Sequence, residues 1–165
     1  ELAPLDHAHP EPSPGWREVA EDPQPFLSLG LASPGWLAGA LPELVAAEEA
    51  LDPSGEAPVH LDVRSDNLCL TDRGVILIDW NMACLGNPEL DLGFWLPSLE
   101  AEGGPRPEAM LPNSPEVAAR VGGFFAARAG LPVLPYAPRV RTVQLQQLRT
   151  ALPWAARALV LPSPG

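Results

Sequence analysis

Three long stretches of the chain place apolar residues at intervals of three and four, the spacing that keeps them on one face of an α-helix. The first covers residues 36–51, the second begins at Ser114 and Pro115, and the third covers about 139–161. Pro42 either lies inside the first helix or begins it, because proline fits a first helical turn. The apolar positions are Leu37, Leu41, Leu44 and Val45, then Val117, Val121, Phe124 and Phe125, then Val140, Val143, Leu148 and Leu152.

Two short apolar runs, residues 68–70 and 75–78, have the pattern of a β-hairpin. The four residues between them include Asp72 and Gly74, which favour turns. A hairpin would bring the residue before the first run and the residue after the second run to the same end.

The remaining segments carry signals for loops and for one more helix start. Six prolines among acidic and small residues predict that residues 1–25 form an extended connecting segment. Asn87 and Pro88 predict an N-cap and a first helical residue, and residues 100–113 predict a loop rich in glycine and proline. Together these elements predict an α+β fold, mainly α-helical, in which residues 26–165 form one unit.

Composition narrows the class of protein. The 165 residues carry a formal net charge of −11 and 46% hydrophobic residues, enough for one globular domain. Such acidity argues against a nucleic-acid partner. It is compatible with a cationic small substrate, and equally with a role in solubility alone.

Cysteine usage points to a reduced compartment. Cys69 and Cys84 are the only cysteines and lack metal-site spacing. There is no signal peptide and no apolar run of membrane-spanning length, so we expect a cytoplasmic protein with no membrane partner. His7 and His9, in the proline-rich segment, are expected to be solvated surface rather than a metal site.

The candidate chemistry lies in and beside the predicted hairpin. His60, Asp62 and Asn67 have the spacing H-x-D-x-x-x-x-N, and Asp79 follows the second apolar run. With this spacing an aspartate can orient a substrate hydroxyl, while an asparagine and a second aspartate offer oxygen ligands to Mg²⁺. The alternative is that these residues are ordinary turn and capping residues.

The run 59–80 resembles the catalytic segment of the aminoglycoside phosphotransferase and choline kinase family, small-molecule kinases distantly similar to protein kinases. The resemblance implies that Asp62 is the catalytic aspartate, that Asn67 and Asp79 are magnesium ligands, and that His60 braces the loop. It extends into residues 86–92, where Asp91 matches a buried aspartate that holds the catalytic loop. Taken alone, Asp91 merely complements the dipole of the predicted helix.

The sequence departs from the family pattern in two places. Leu61 stands where the family commonly has glycine, and Arg64, Ser65 and Asp66 replace a frequent His-Pro-Gly type sequence. Arg64 is expected either to contact a phosphate or substrate or to pair with Asp66, and the ion pair is favoured.

The phosphate-binding parts of a kinase cannot be found in this sequence. All ten basic residues are arginine, so the chain contains no lysine. Kinases of this resemblance use a lysine and a glycine-rich loop from an N-terminal lobe to hold ATP. We therefore expect a protein-kinase-like C-terminal lobe, with a short β-hairpin carrying the catalytic and metal residues, and an absent N-terminal nucleotide-binding lobe as its partner.

These observations predict an ATP-dependent and Mg²⁺-dependent phosphotransferase that acts on a hydroxyl of a small molecule. As a single lobe it is expected to be inactive alone. A non-catalytic, kinase-like binding or regulatory module is the alternative, supported by the lack of lysine. A hydrolase using aspartate and histidine is less well supported, because no activated nucleophile motif is present.

Overall fold

The computed structural model describes residues 2–8 and 15–165, and over these ranges the chain forms eight α-helices and four short strands. Single 3₁₀ turns at Ser65–Asn67 and Trp80–Met82 flank the second and third strands. The helices are α1 (Leu5–Ala8), α2 (Trp16–Glu21), α3 (Gln24–Leu27), α4 (Pro34–Ala50), α5 (Glu89–Ala101), α6 (Pro107–Met110), α7 (Pro115–Ala129) and α8 (Val140–Ala158). The strands are β1 (Ala57–Val59), β2 (Leu68–Thr71), β3 (Gly74–Leu77) and β4 (Cys84–Gly86).

The strands form two small antiparallel sheets. β1 pairs with β4, and β2 pairs with β3. A mainly helical fold with a minor β portion is therefore confirmed. Both cysteines are free, Cys69 on the exposed hairpin and Cys84 buried in β4.

Helix α7 lies at the centre of the core and contacts α2, α3, α4, α5 and α8. Val117, Val121 and Phe125 of this helix are buried, as the periodicity of the sequence predicts. Pro42 and Pro153 lie inside α4 and α8, so α4 runs through its proline rather than beginning there. The three long helices of the sequence analysis are confirmed.

The structure corrects the expectation of an extended segment over residues 1–25. Helices α1 and α2 form there, and α3 begins at Gln24. Helix α2 is stabilised because its residues Trp16 and Val19 are buried and the helix packs on α7. The indole N–H of Trp16 donates to the carbonyl of Ala119 at 2.8 Å. Gly123 makes this approach possible, since a Cβ there would lie 3.0 Å from the backbone nitrogen of Trp16. Burial of apolar surface thus outweighs the local proline signal.

Part of the prediction for this segment lies outside the described residues. It concerns residues 9–14, which include His9, and the side chain of His7. The predicted loop over 100–113 also differs, since α6 interrupts it with Pro107 in its first turn. Across the described parts of the chain, no helix combines the length and the apolar character that a membrane span requires.

The C-terminus of α8 ends in a Schellman motif with a valine where glycine is usual. Val160 donates to the carbonyl of Arg157, and Leu161 donates to the carbonyl of Ala156 at 2.8 Å. Val160 has a φ of 57°, in the left-handed region, and is 92% exposed. A positive φ strains a β-branched residue, and the exposed side chain of Val160 gains no buried contact to offset that strain.

We expect Val160→Gly to stabilise the protein. Glycine has no Cβ, so it adopts the left-handed conformation without the steric cost of about 1–2 kcal/mol that valine bears. The greater unfolded-state entropy of glycine removes about 0.5–1 kcal/mol of that gain. Urea denaturation would measure the net increase in the free energy of unfolding, about 1 kcal/mol. Val133→Gly is the control, because Val133 is 60% exposed and its φ is not positive. Val133→Gly should lower the free energy of unfolding. If both variants change that free energy equally and in the same direction, strain at Val160 is not the cause.

Candidate active site

The hairpin brings the two expected metal ligands to one end. In its register Leu68 pairs with Leu77, and the N–H of Ile78 donates to the carbonyl of Asn67 at 2.9 Å. Asp79 is therefore the next residue beyond this pair. Gly74 closes the turn with a φ of 128°. The predicted hairpin is confirmed: its first strand begins at the predicted residue, and the other three strand boundaries are shifted by one residue.

The loop that follows β1 is held by the carboxylate of Asp91. Its two oxygens accept the backbone N–H groups of His60 and Leu61, each at 2.7 Å. Asp91 lies in the first turn of α5, so its charge also complements the helix dipole. Asp91 thus restrains the backbone of this loop and lies where a negative charge suits the helix, and its role in a catalytic loop stays a prediction.

His60 connects the loop to the end of the hairpin. Its side chain is fully buried. Nδ1 accepts the N–H of Asp62 at 3.2 Å, and Nε2 lies 2.8 Å from the carbonyl oxygen of Ile78. The neutral tautomer with its proton on Nε2 satisfies both contacts. Trp80 packs edge-on against the ring at 4.8 Å, so the imidazole is held on several sides.

Asn67 and Asp62 are joined directly. The side-chain nitrogen of Asn67 donates to the carbonyl of Asp62 at 2.9 Å and to its carboxylate at 3.2 Å. This arrangement leaves the amide oxygen of Asn67 as the atom that can bind a cation. Asn67 is buried, whereas the Asp62 side chain is 37% exposed and can meet a substrate.

Asp79 has a left-handed backbone conformation, with φ 66° and ψ 57°. Aspartate tolerates this region better than most residues, and its carboxylate accepts a hydrogen bond from the side chain of Asn81. Two residues beyond the end of β3, this conformation turns the chain into the 3₁₀ turn Trp80–Met82.

The donor set of Asn67 and Asp79 fits a magnesium ion. Mg²⁺ is commonly held by one or two protein oxygens, with phosphate and water oxygens completing its octahedron. Within residues 2–8 and 15–165, no three His, Cys, Asp or Glu side chains form a metal-binding group. A site of one amide and one carboxylate does not require such a group.

Arg64 lies between two carboxylates. Its guanidinium donates to both oxygens of Asp66 at 3.0 and 3.1 Å, and it lies 3.7 Å from a carboxylate oxygen of Asp62. The favoured ion pair with Asp66 is therefore present. Because the planar fork is already occupied, a phosphate would have to displace Asp66.

A cavity of about 860 Å³ opens beside Asp62 and is lined by the loop and by residues of α4, α5, α7 and α8. Sequence reasoning missed two charged lining residues, Glu48 and Arg120, which form an ion pair at 3.3 Å. Glu48 lies on α4 and Arg120 on α7. No local signal connects residues so far apart in sequence.

The sequence of this chain matches a known protein family and several curated proteins. The model of the phosphotransferase enzyme family matches residues 1–129. The chain therefore belongs to that family, and the resemblance to aminoglycoside phosphotransferases and choline kinases is confirmed.

Curated relatives include the thiamine kinases of Salmonella paratyphi B, Salmonella newport and Salmonella heidelberg. Each is 35% identical over 94 residues, which cover 53% of this chain and 33% of the relative. The match thus spans about a third of the length of these kinases. No solved structure matches the chain.

We expect Asp91→Ala to destabilise the protein strongly, because two part-buried N–H groups lose their acceptor. Each unsatisfied donor costs about 1–3 kcal/mol. Urea denaturation should therefore give a loss of about 2–6 kcal/mol in the free energy of unfolding.

Glu89→Ala is the matched control for this prediction. Glu89 is an exposed acid in the same first turn of α5, so its removal should cost no more than about 1 kcal/mol. Similar losses in both variants would mean that Asp91 acts through the helix dipole alone.

Proposed function

We propose that this chain carries the catalytic loop of an ATP-dependent phosphotransferase that acts on a hydroxyl of a small molecule. The observation that carries the proposal is the contact between Asn67 and the carboxylate of Asp62, in a chain of the phosphotransferase enzyme family. Thiamine is the first acceptor to test, because the relatives are named thiamine kinases. We propose the cytoplasm as its compartment.

In the proposed mechanism Asp62 receives the hydroxyl of the acceptor. Its carboxylate aligns the oxygen for in-line attack on the γ-phosphate and accepts the proton late in the reaction. The hydrogen bond from Asn67 restrains the carboxylate, and His60 restrains its backbone. Alignment of this kind supplies most of the catalysis that protein groups contribute to phosphoryl transfer.

Asn67 and Asp79 would hold Mg²⁺ in this mechanism. The ion, when bound, neutralises charge on the transferred phosphoryl group. Asn67 presents its amide oxygen because its nitrogen is committed to Asp62. Asp79 presents a carboxylate from the same end of the hairpin, and His60 links that end to the loop through Ile78.

A nucleotide-binding lobe outside this chain is part of the proposal. The hairpin exposes apolar side chains that a soluble protein normally covers: Leu70 is 84% exposed, Val75 61% and Ile76 53%. A lobe packed on this sheet would bury them and supply the lysine that the present sequence lacks. The alternative, a non-catalytic kinase-like module, is favoured by that same lack of lysine.

We expect Asp62→Asn, made in the complete protein that contains this chain, to lower kcat by about 100-fold or more, because the acceptor hydroxyl loses its base. Affinity for Mg²⁺ and ATP should stay unchanged. Radiolabelled ATP transfer to thiamine and a panel of other alcohols would measure the rate.

Asp66→Asn is the control for Asp62→Asn, since it removes an exposed carboxylate from the same loop. Its rate should remain close to that of the wild type. If the Asp62 variant keeps most of its activity, Asp62 is not the catalytic residue. If the wild-type protein transfers phosphate to no alcohol, the non-catalytic alternative is favoured.

We expect Asp79→Ala to abolish magnesium-dependent nucleotide binding, because only one protein ligand then remains. Calorimetric titration of the complete protein with ATP, with and without Mg²⁺, measures this effect. Asp72→Ala, in the turn at the opposite end of the hairpin, is the control and should bind normally. Unchanged affinity in the Asp79 variant would remove Asp79 from the metal site.

A further inference from the structure

One face of helix α8 forms a wall of the cavity of about 860 Å³ that Asp62 also lines. Its lining residues are spaced by three and four, which places them on one side of the helix. A molecule in the cavity can therefore meet this wall and Asp62 together. The family model matches residues 1–129, so membership of the family does not explain this wall. The α8 residues that line the cavity are Val140, Val143, Gln144 and Gln147.

The wall contains two buried glutamines. Gln144 is 9% exposed and Gln147 is 8% exposed, whereas glutamine lies mostly at protein surfaces. In the described parts of the chain four polar side chains are buried, and the other two are His60 and Asn67 of the candidate active site. A buried amide normally pairs both its N–H₂ group and its carbonyl group, because an unpaired polar group costs free energy. These two amides are each paired at one end only.

The orientation of the Gln144 amide is fixed by Arg141. The guanidinium of Arg141 donates to Oε1 of Gln144 at 2.9 Å. Arginine has donors and no acceptor, so the atom that faces it must be the amide oxygen. The N–H₂ group of Gln144 makes no hydrogen bond to the described residues, and it is not one of the atoms that the fold encloses without a partner. Gln144 therefore offers a hydrogen-bond donor to the cavity that it lines.

Gln147 offers the opposite group. Its Nε2 donates to the hydroxyl of Ser98 on α5 at 2.8 Å. Its amide oxygen accepts no hydrogen bond from the described residues, and this atom is likewise not enclosed. Residues three apart on a helix are neighbours on its surface. The wall thus presents a donor from Gln144 beside an acceptor from Gln147.

This pair of groups fits a ligand that carries an acceptor beside a donor. An amino-azine ring has this arrangement, because a ring nitrogen that accepts stands next to an amino group that donates. The rest of the cavity suits a flat ring, since its apolar lining includes Phe94 and Phe124. Neither contact requires a charge on the ligand, so an acceptor may be cationic or neutral elsewhere in the molecule.

We propose that Gln144 and Gln147 select, as phosphoryl acceptor, an alcohol whose other end carries an aminopyrimidine or a similar amino-azine ring. The ring nitrogen accepts from Gln144, and the amino group donates to Gln147. Arg141 is a positioning residue, because it holds Gln144 with its N–H₂ group available. This inference rests on the proposed function for the reaction of the hydroxyl at Asp62. Recognition of the ring can be measured by binding alone.

Thiamine and oxythiamine are a matched pair of ligands for the test. They share the hydroxyl and the positive charge, but oxythiamine has a carbonyl in place of the amino group and a proton on the neighbouring ring nitrogen. Donor and acceptor are thus reversed. Calorimetric titration of the complete protein that contains this chain, without ATP, gives both affinities. We expect oxythiamine to bind about tenfold more weakly, because the reversed edge leaves buried polar groups unpaired.

Variants of the two glutamines test their part in this preference. Gln144→Met and Gln147→Met keep the length of the side chain and remove its polar end. Each should weaken thiamine binding by about tenfold through one lost hydrogen bond and leave oxythiamine binding nearly unchanged. Gln146→Met is the control, because Gln146 is exposed on the same helix and lines a neighbouring cavity of about 390 Å³ but not this one. Its affinities should equal those of the wild type.

Arg141 is tested by the ratio of the two affinities. In Arg141→Met the Gln144 amide is free to turn and present either end, so the preference for thiamine should fall to about twofold. Arg141→Lys keeps a donor for the Gln144 oxygen and should retain the preference. A role of Arg141 in stability alone would weaken both ligands equally and leave their ratio unchanged.

Each result has a defined consequence. If thiamine does not bind, or if oxythiamine binds as tightly, the proposed recognition is wrong. If Gln146→Met loses as much affinity as the other two glutamine variants, this wall is not the binding surface. An unchanged ratio in Arg141→Met would remove its positioning role.

The outcomes also separate this inference from the proposed function. If the affinities follow the expectation while the complete protein transfers no phosphate, the recognition stands and the proposed function fails. If phosphate is transferred to thiamine and oxythiamine equally well, with equal affinities, the proposed function stands and the recognition fails.

Discussion

The carboxylate of Asp91 is the interaction on which the polar loop depends. It accepts the N–H groups of two successive residues, His60 and Leu61, and so sets the direction in which the chain leaves β1. His60 can then reach both the N–H of Asp62 and the carbonyl of Ile78. A single side chain on α5 thereby connects the helical body, the loop and the hairpin. A charge-assisted bond to backbone groups is strong enough for this role because it is partly shielded from water.

The same restraint explains the unfavourable backbone conformation of Leu61. Leu61 and Asp79 both have positive φ values. Asp79 is a residue type that tolerates this region, whereas Leu61 is not. The leucine stays there because its N–H is held by Asp91 and its neighbour His60 is buried. Local strain is thus offset by hydrogen bonds that belong to other elements, as is common where a backbone must present a particular side chain.

The helical body shapes the cavity beside this loop. Trp16 packs α2 against α7, and its backbone N–H donates a hydrogen bond to Glu48 of α4. Burial raises the pKa of the Glu48 carboxyl, while the hydrogen bond from Trp16 and the charge of Arg120 oppose that rise. An ion pair in such a place contributes little net stability. Its consequence is chemical, since it neutralises one wall of the cavity and leaves apolar surface as the main feature that a ligand meets.

Local signals in the sequence were sufficient for the elements whose residues interact with near neighbours. The apolar face of α7 follows from the periodicity of the sequence, and the β2–β3 hairpin follows from its turn residues. In both elements the hydrogen bonds join residues that are close in sequence. The spacing of His60, Asp62 and Asn67 likewise identified a candidate loop, whose chemical roles stay predictions. Tertiary structure alone decided that Trp16 makes a helix of a proline-rich segment, that Leu61 is held at a positive φ, and that Glu48 meets Arg120. These features depend on contacts between residues distant in sequence, and the free energy of such contacts exists only once the chain has packed.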